Sequence, residues 1–122
     1  MTNMNYSINL NKQTIYCKFE GKIEPEALVK FISEIRSNPE FHNGLNTIAD
    51  FQEANISEDY MEINMLADYI INNATNRGDF KLAVICGPET INSVTLYKIL
   101  TSDKHVKACL NEQEALDWVA KR

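Results

Sequence analysis

Residues 46–51 read Asn-Thr-Ile-Ala-Asp-Phe, and residues 80–86 read Phe-Lys-Leu-Ala-Val-Ile-Cys. The first run reads as a strand, and the second is nearly all apolar, as a buried strand is. Between them, residues 57–76 place apolar side chains at helical spacing, and Gly78 follows where a left-handed glycine can end a helix. A strand, a covering helix and a second strand form a βαβ crossover, so we predict that at least part of the sheet is parallel.

Regular patterns continue on both sides of this crossover. Residues 6–19 alternate between apolar and polar side chains around a central turn, which predicts an antiparallel hairpin that ends at Gly21. Pro25 fits the first turn of a helix. After the second apolar run come a third helix, a short edge strand and a last helix, whose start at Asn111 resembles a capping box because Glu114 lies three residues on. The predicted class is α/β, a mixed and mainly parallel sheet with an N-terminal hairpin, in the order ββαβαβαβα with about four helices.

Composition and charge restrict the possible classes of function. At 122 residues the chain is long enough to bury a core, and we predict a single domain over residues 1–122. The net charge is -5 and the 12 basic residues are scattered singly, which disfavours nucleic acid as a partner. No segment approaches the roughly 20 apolar residues of a membrane span, and the N-terminus lacks the features of a signal peptide. We therefore predict a cytoplasmic protein.

The cysteines and histidines give no sign of a metal or cofactor. The chain has three cysteines, an odd number at wide spacing, which fits neither a disulfide framework nor a zinc site. His42 and His105 lie far apart in the sequence, and neither has an acidic residue at metal-ligand spacing. We expect no metal, no cofactor and no enzymatic activity, because the sequence also contains no motif for nucleophilic catalysis or phosphate binding.

Several short motifs occur in order along most of the chain. They are Phe19-Glu20-Gly21, Glu24-Pro25-Glu26, Arg36 with Asn38-Pro39-Glu40-Phe41, a strand ending in Asp50, Arg77-Gly78-Asp79-Phe80-Lys81, and Glu112 with Glu114-Ala115-Leu116-Asp117-Trp118. In this order they resemble the STAS domain, the fold of anti-sigma-factor antagonists, and in particular its SpoIIAA-like branch, also described as STAS/SEC14-type. The resemblance implies a cytoplasmic bacterial module.

Ser57 is the residue to compare with the regulatory serine of that family. Anti-sigma-factor antagonists carry a phosphorylatable serine in an Asp-Ser-Ser-Gly-like turn after the third strand. Here residues 50–59 contain one serine, Ser57, which is followed by Glu58 and Asp59, so the motif is absent. We interpret Ser57 as a helix N-cap. The alternative, a phosphorylation site at a helix N-terminus, stays open, although two acids in the first turn would repel a phosphate.

Two residues near predicted strand ends are candidates for chemistry. Cys86 lies at the carboxyl end of a predicted parallel strand, where ligands bind in open α/β sheets and where a following helix can lower the pKa of a thiol. We favour a buried core thiol, since cysteine is among the most buried residue types. Asp50 ends the preceding strand and either positions a ligand or caps the following turn, and we favour the cap.

The helix predicted over residues 57–76 is hydrophobic over more than half of its circumference. Met61 and Met65 add soft apolar groups beside its inner stripe. This width indicates extra core coverage, a protein interface or, third, a cavity for an apolar ligand. We therefore predict a non-enzymatic, STAS-like interaction or regulatory module that forms a homodimer. The alternative is a carrier or sensor of a small apolar ligand, as the STAS/SEC14-type resemblance implies.

Overall fold

The computed structural model describes residues 3–42, 44–56, 81–87 and 106–121. These residues form one five-stranded sheet and two helices. In chain order the elements are β1 (Asn3–Asn9), β2 (Thr14–Ile23), α1 (Pro25–Arg36), β3 (Asn46–Ile56), β4 (Leu82–Cys86), β5 (Val106–Cys109) and α2 (Glu112–Ala120). The described residues thus contain two helices rather than about four. The segments predicted to form the other two, residues 57–76 and the third helix after the run at 80–86, lie outside them.

The sheet is mixed and follows the chain order β1-β2-β3-β4-β5. β1 and β2 are antiparallel, from Asn3 opposite Glu20 to Asn9 opposite Thr14. The pairs β2–β3, β3–β4 and β4–β5 are all parallel. Parallel neighbours need a crossover connection, and α1 supplies the one between β2 and β3. The predicted N-terminal hairpin and the mainly parallel sheet are therefore confirmed.

One face of the sheet packs against α1, and we call it the α1 face. Its buried side chains occupy alternate positions of β2 and β4, because successive side chains point to opposite faces. The Phe19 ring stacks on Phe51 with centroids 4.3 Å apart and meets Phe31 of α1 edge-on at 5.3 Å. Each such buried phenylalanine contributes about 1.5–3 kcal/mol. The other buried members are Ile15, Cys17, Ile23, Leu28, Ile35, Leu45, Ala49, Ala54, Val84 and Cys86.

The opposite face, which we call the α2 face, has a smaller core. Tyr16, Leu116 and Trp118 are partly buried and pack against it. Each described helix therefore covers a different face of the sheet, α1 within the crossover from β2 to β3 and α2 after the last strand. The buried members of this core are Ile48, Ala83, Ile85 and Cys109 from the sheet, with Ala115 and Val119 from α2.

β2 and β3 are both longer than the sequence predicts. The predicted end of β2 at Gly21 is wrong, because the strand continues through this glycine, at a φ of 80°, to Ile23. The predicted end of β3 at Asp50 is also wrong, because that strand continues to Ile56. Ile23 and Ala54 are buried on the α1 face, and their burial favours continued pairing over the turns that Gly21 and Asp50 indicate locally.

Specific hydrogen bonds hold both ends of α2. Asn111 Oδ1 accepts the N–H of Glu114 at 2.8 Å, and the Glu114 carboxylate accepts the N–H one residue before this cap at 3.1 Å. The cap predicted at Asn111 is therefore confirmed. At the other end, the Lys81 ammonium donates to the carbonyl oxygens of Trp118, at 3.1 Å, and Lys121. The ammonium nitrogen of Lys81 also lies 5.4 Å from the centre of the Trp118 ring. Lys81 therefore connects the last turn of α2 to the start of β4.

We expect Lys81→Met to lower the free energy of unfolding by about 1–2 kcal/mol, because the last carbonyl groups of α2 lose a charged donor. Urea unfolding followed by circular dichroism measures the change. Lys12→Met, at an exposed position in the hairpin turn, is the matched control and should change the free energy by less than about 0.5 kcal/mol. Equal effects of the two substitutions would contradict the role assigned to Lys81.

Candidate functional site

The structure describes two of the candidate residues from the sequence, Asp50 and Cys86. Cys86 is the last residue of β4, at the carboxyl end of a parallel strand as predicted. Its ladder partner Phe51 lies with it on the α1 face, whereas the next residue back, Asp50, contacts Tyr16 on the α2 face. The sheet therefore separates the Asp50 and Cys86 side chains. Ser57, Met61 and Met65 lie outside the described residues.

Cys86 has the surroundings of a core thiol. Its side chain is buried among the apolar residues of the α1 face, and its Sγ lies 3.6 Å from the carbonyl oxygen of Val84. Cys17 and Cys109 are also buried, and none of the three cysteines forms a disulfide. Burial among apolar side chains disfavours the thiolate, which is the nucleophilic form. This placement agrees with the interpretation of Cys86 as a packing residue.

β3 contains a bulge directly after Asp50. The ladder advances by two residues along β2, from Lys18 to Glu20, but by three along β3, from Asp50 to Glu53. An extra residue of this kind disrupts the regular pairing of backbone groups. The N–H of Gln52 instead donates to Asp50 Oδ1 at 3.0 Å. Asp50 thus caps a local turn two residues on, but it does so within a strand and not at its end.

The second carboxylate oxygen of Asp50 contacts Tyr16. The Tyr16 hydroxyl donates to Asp50 Oδ2 at 3.2 Å, from β2 to β3. Asp50 is 7% exposed, and among the described residues it is the only buried polar or charged side chain. Both of its oxygens accept a hydrogen bond, which offsets part of the lost hydration. Burial of Tyr16, the nearby negative charges of Asp50 and Glu112, and the hydrogen bond to Asp50 raise the pKa of the Tyr16 hydroxyl to about 12.

Gly87 allows the chain to pack closely on the bulge as it leaves β4. A Cβ atom at Gly87 would lie 2.8 Å from the carbonyl oxygen of Gln52, which is closer than a side chain tolerates. Only glycine therefore fits this contact between two backbone segments. We call Tyr16, Asp50, Gln52 and Gly87 the bulge cluster. Its hydrogen bonds and close packing hold the backbone of β3 in its irregular course.

The outer edge of β1 is a second candidate site. Within the described part of the chain β1 pairs only with β2, so its outward N–H and C=O groups can pair with another strand. Residues 3–9 carry no charge, proline or glycine, and their ladder with β2 has no bulge. The other edge strand, β5, is shorter and carries Lys107, which pairs with Glu114 at 3.6 Å. Short length and charge both disfavour the pairing of an edge strand with another chain. β5 has these two features, and β1 has neither.

The side chains of β1 form an apolar row and a polar row. Met4, Tyr6 and Ile8 are partly buried against the core of the α1 face. The Tyr6 ring meets Phe31 edge-on at 5.7 Å, and the Asn38 amide donates to the Tyr6 hydroxyl at 3.0 Å. These contacts order the apolar row against the body of the protein. The polar row is exposed and consists of Asn3, Asn5, Ser7 and Asn9.

Comparison with known proteins identifies the fold. No family model matches the sequence, and no curated protein matches it significantly. The structure is similar to an uncharacterized protein of the DUF3478 family with a SpoIIAA-like fold, from Shewanella loihica PV-4. The TM-score is 0.59 at 16% sequence identity, over 98% of this chain and 95% of the other. The chain has a SpoIIAA-like fold.

The SpoIIAA-like fold is a finding about architecture, because identity at this level carries no information on activity. Neither described helix of this SpoIIAA-like chain is long and apolar enough to cross a membrane. Within the ranges that the structure describes, no three potential metal-ligand side chains come together. The two sites to consider in the SpoIIAA-like sheet are therefore the bulge cluster and the β1 edge.

Sequence patterns indicate only part of these sites. They predict β5 as an edge strand but do not single out β1, although the absence of charge in residues 3–9 was an available signal. Tyr16 alternates with inward residues of the hairpin, but its partner Asp50 lies on another strand, so their contact depends on the register. No local pattern brings Gly87 onto Gln52, because this contact joins two segments that are distant in sequence.

Gly87→Ala tests the packing of the bulge cluster. We expect it to lower the free energy of unfolding by about 1–3 kcal/mol, because the new methyl group would overlap the backbone oxygen of Gln52. Gly44→Ala is the matched control: among the described residues its Cβ would meet only the exposed imidazole of His42, at 3.3 Å, which can move away. Urea unfolding of both variants measures the difference. Equal stability of the two variants would show that the close contact at Gly87 is unimportant.

Tyr16→Phe tests the electrostatics of the cluster. An unfolded tyrosine loses its proton near pH 10, whereas folded Tyr16 keeps its proton until about pH 12. The contribution of the Tyr16 hydroxyl to the free energy of unfolding is therefore full below pH 10 and is lost as the pH rises to 12. We expect the unfolding free energy of the unmodified protein to fall more steeply across this range than that of Tyr16→Phe. Denaturant titrations at several alkaline pH values measure both slopes. Identical slopes would contradict the raised pKa of Tyr16.

Proposed function

We propose that this chain is a cytoplasmic, non-enzymatic interaction or regulatory module of the STAS type, which acts by binding another protein chain. The observation that carries the proposal is the uncharged outer edge of β1, which is open to pairing within the described sheet. The SpoIIAA-like fold supports it, because this fold suggests a STAS-like module. The proposal thus combines an architecture with a specific surface on it.

The β1 edge suits the addition of a strand. An extended segment placed beside β1 would gain backbone hydrogen bonds along as many as seven residues. The two side-chain rows would favour a segment that is apolar on one side and polar on the other. Because β2 and α1 already order β1, little conformational entropy is lost on this side of the interface. Affinity would come from the backbone, and specificity from the alternating side chains.

The placement of the candidate chemical groups also favours binding over catalysis. Asp50 uses one oxygen for the N–H of Gln52 and the other for the hydroxyl of Tyr16. Cys86 is buried on the opposite face of the sheet. A nucleophile and its base must lie within hydrogen-bond distance of each other, and these two groups do not. A structural role for Asp50 and a packing role for Cys86 account for both placements.

Native mass spectrometry of the full chain, purified from its natural cell, tests the proposal. We expect unmodified chains in a non-covalent protein complex, with a second copy or with a different protein. A monomer that carries a small added mass, lost under denaturing conditions, would contradict the proposal. That result would support the alternative function, a carrier or sensor of a small apolar ligand. A bare monomer at cellular concentration would contradict both functions.

A further inference from the structure

We infer that the β1 edge binds β1 of a second copy of this chain, antiparallel to it, about a two-fold axis that passes through Tyr6. The inference rests on the proposed function, because it names the partner at the same edge. Two copies joined in this way would share one continuous sheet. Three properties of β1 favour a second copy over an unrelated segment. They are its pattern of side chains, its lack of charge and the partial burial of its apolar row.

The first property is self-complementarity. In an antiparallel pair, residues directly opposite each other point to the same face of the sheet. With the axis at Tyr6, every apolar residue of β1 faces an apolar residue and every polar residue faces a polar one. All seven residues of β1 take part in this register. The resulting pairs are Asn3 with Asn9, Met4 with Ile8, Asn5 with Ser7, and Tyr6 with Tyr6.

Other registers are less favourable for the same reasons. A shift by one residue would place the apolar row of one copy opposite the polar row of the other, because the side-chain period of a strand is two. A shift by two residues keeps the rows matched but leaves two residues at one end of each β1 without a partner in the other β1. The register centred on Tyr6 therefore gives the most backbone hydrogen bonds with matched side chains.

The second property is the absence of charge. Self-association repeats every charged side chain on both partners, so an edge strand with charges of one sign meets like charges in its own copy. The whole chain has a net charge of -5, which generally opposes association between copies. β1 contributes nothing to this repulsion, because it contains no aspartate, glutamate, lysine, arginine or histidine. The edge is thus a place where two acidic copies can meet.

The third property is the partly buried apolar row. Met4, Tyr6 and Ile8 pack against the α1 face, but none of them is fully buried. A second copy would place the same row beside them on the same face, so that Met4 of each copy meets Ile8 of the other. This contact would extend both cores across the axis and remove apolar surface from water. Phe31 and Asn38 already hold Tyr6, which reduces the entropy lost on pairing.

Paired charge substitutions on the polar row test the interface and its register. Asn5 and Ser7 are exposed and face each other across the proposed axis. In Asn5→Glu/Ser7→Glu each new carboxylate would face a carboxylate of the other copy, and we expect the dimer dissociation constant to rise by about tenfold or more. In Asn5→Glu/Ser7→Lys each carboxylate would face an ammonium, and we expect the dimer to persist. Sedimentation equilibrium of the full chain over a wide concentration range measures both constants.

The two variants control for each other. Both carry Asn5→Glu beside Lys18 of their own β2, so they differ only in the charge at position 7. Equal urea midpoints at a protein concentration where both variants are monomeric would show that the two are equally stable, and a difference in association then reports on the interface. A dimer that is equally stable in both variants would overturn the inference but not the proposed function, since the copies would associate elsewhere. An unmodified chain that stays monomeric would also overturn the inference. The proposed function would then require a complex with a different protein in the native mass spectrum.

Discussion

The parallel pairing of β2 with β3 is the interaction on which the other elements depend. It is the longest ladder among the described strands, from Thr14 opposite Asn46 to Ile23 opposite Ile56. Parallel strands cannot be joined by a tight turn, so the ladder closes a longer connection, at a cost in chain entropy. Burial of α1 against the sheet offsets that cost. The start of β3 is then fixed from both sides, because its first two N–H groups donate to carbonyl oxygens of Gln13 and Lys81.

The bulge follows from the need to keep apolar residues on one face of this long ladder. Phe51 and Ala54 are three residues apart, so in a regular strand they would point to opposite faces. Both are buried on the α1 face because the bulge inserts one extra residue between them. The inserted segment needs a new partner for the N–H of Gln52, and Asp50 provides it. A buried carboxylate is thus retained in the sheet because the hydrogen bonds to Gln52 and Tyr16 offset the loss of its hydration.

Sequence reasoning predicts the features of this fold that depend on local patterns. The hairpin, the parallel pairing of β3 with β4 and the cap at Asn111 follow from side-chain periods and from hydrogen-bonding preferences within a few residues, and the structure confirms them. The ends of β2 and β3 are mispredicted because Gly21 and Asp50 are turn residues by local preference, whereas the long ladder includes them. The bulge cluster is beyond prediction for a related reason. Its contacts join β2, β3 and the residue that follows β4, and each contact depends on a register that no single segment specifies.

The two edges of the sheet have opposite chemistry, and this difference connects the fold to the proposed function. A lysine on a short strand protects β5, whereas β1 is longer, regular and uncharged. An uncharged edge risks indiscriminate pairing unless its side chains restrict what can bind. In β1 the alternation of asparagine and serine with Met4, Tyr6 and Ile8 supplies that restriction, because a wrong register places apolar side chains opposite polar ones. The same alternation is satisfied by an inverted copy of β1, since the pattern reads the same from either end. A strand that rejects most partners by its pattern and accepts itself by symmetry has the specificity that an interaction module needs.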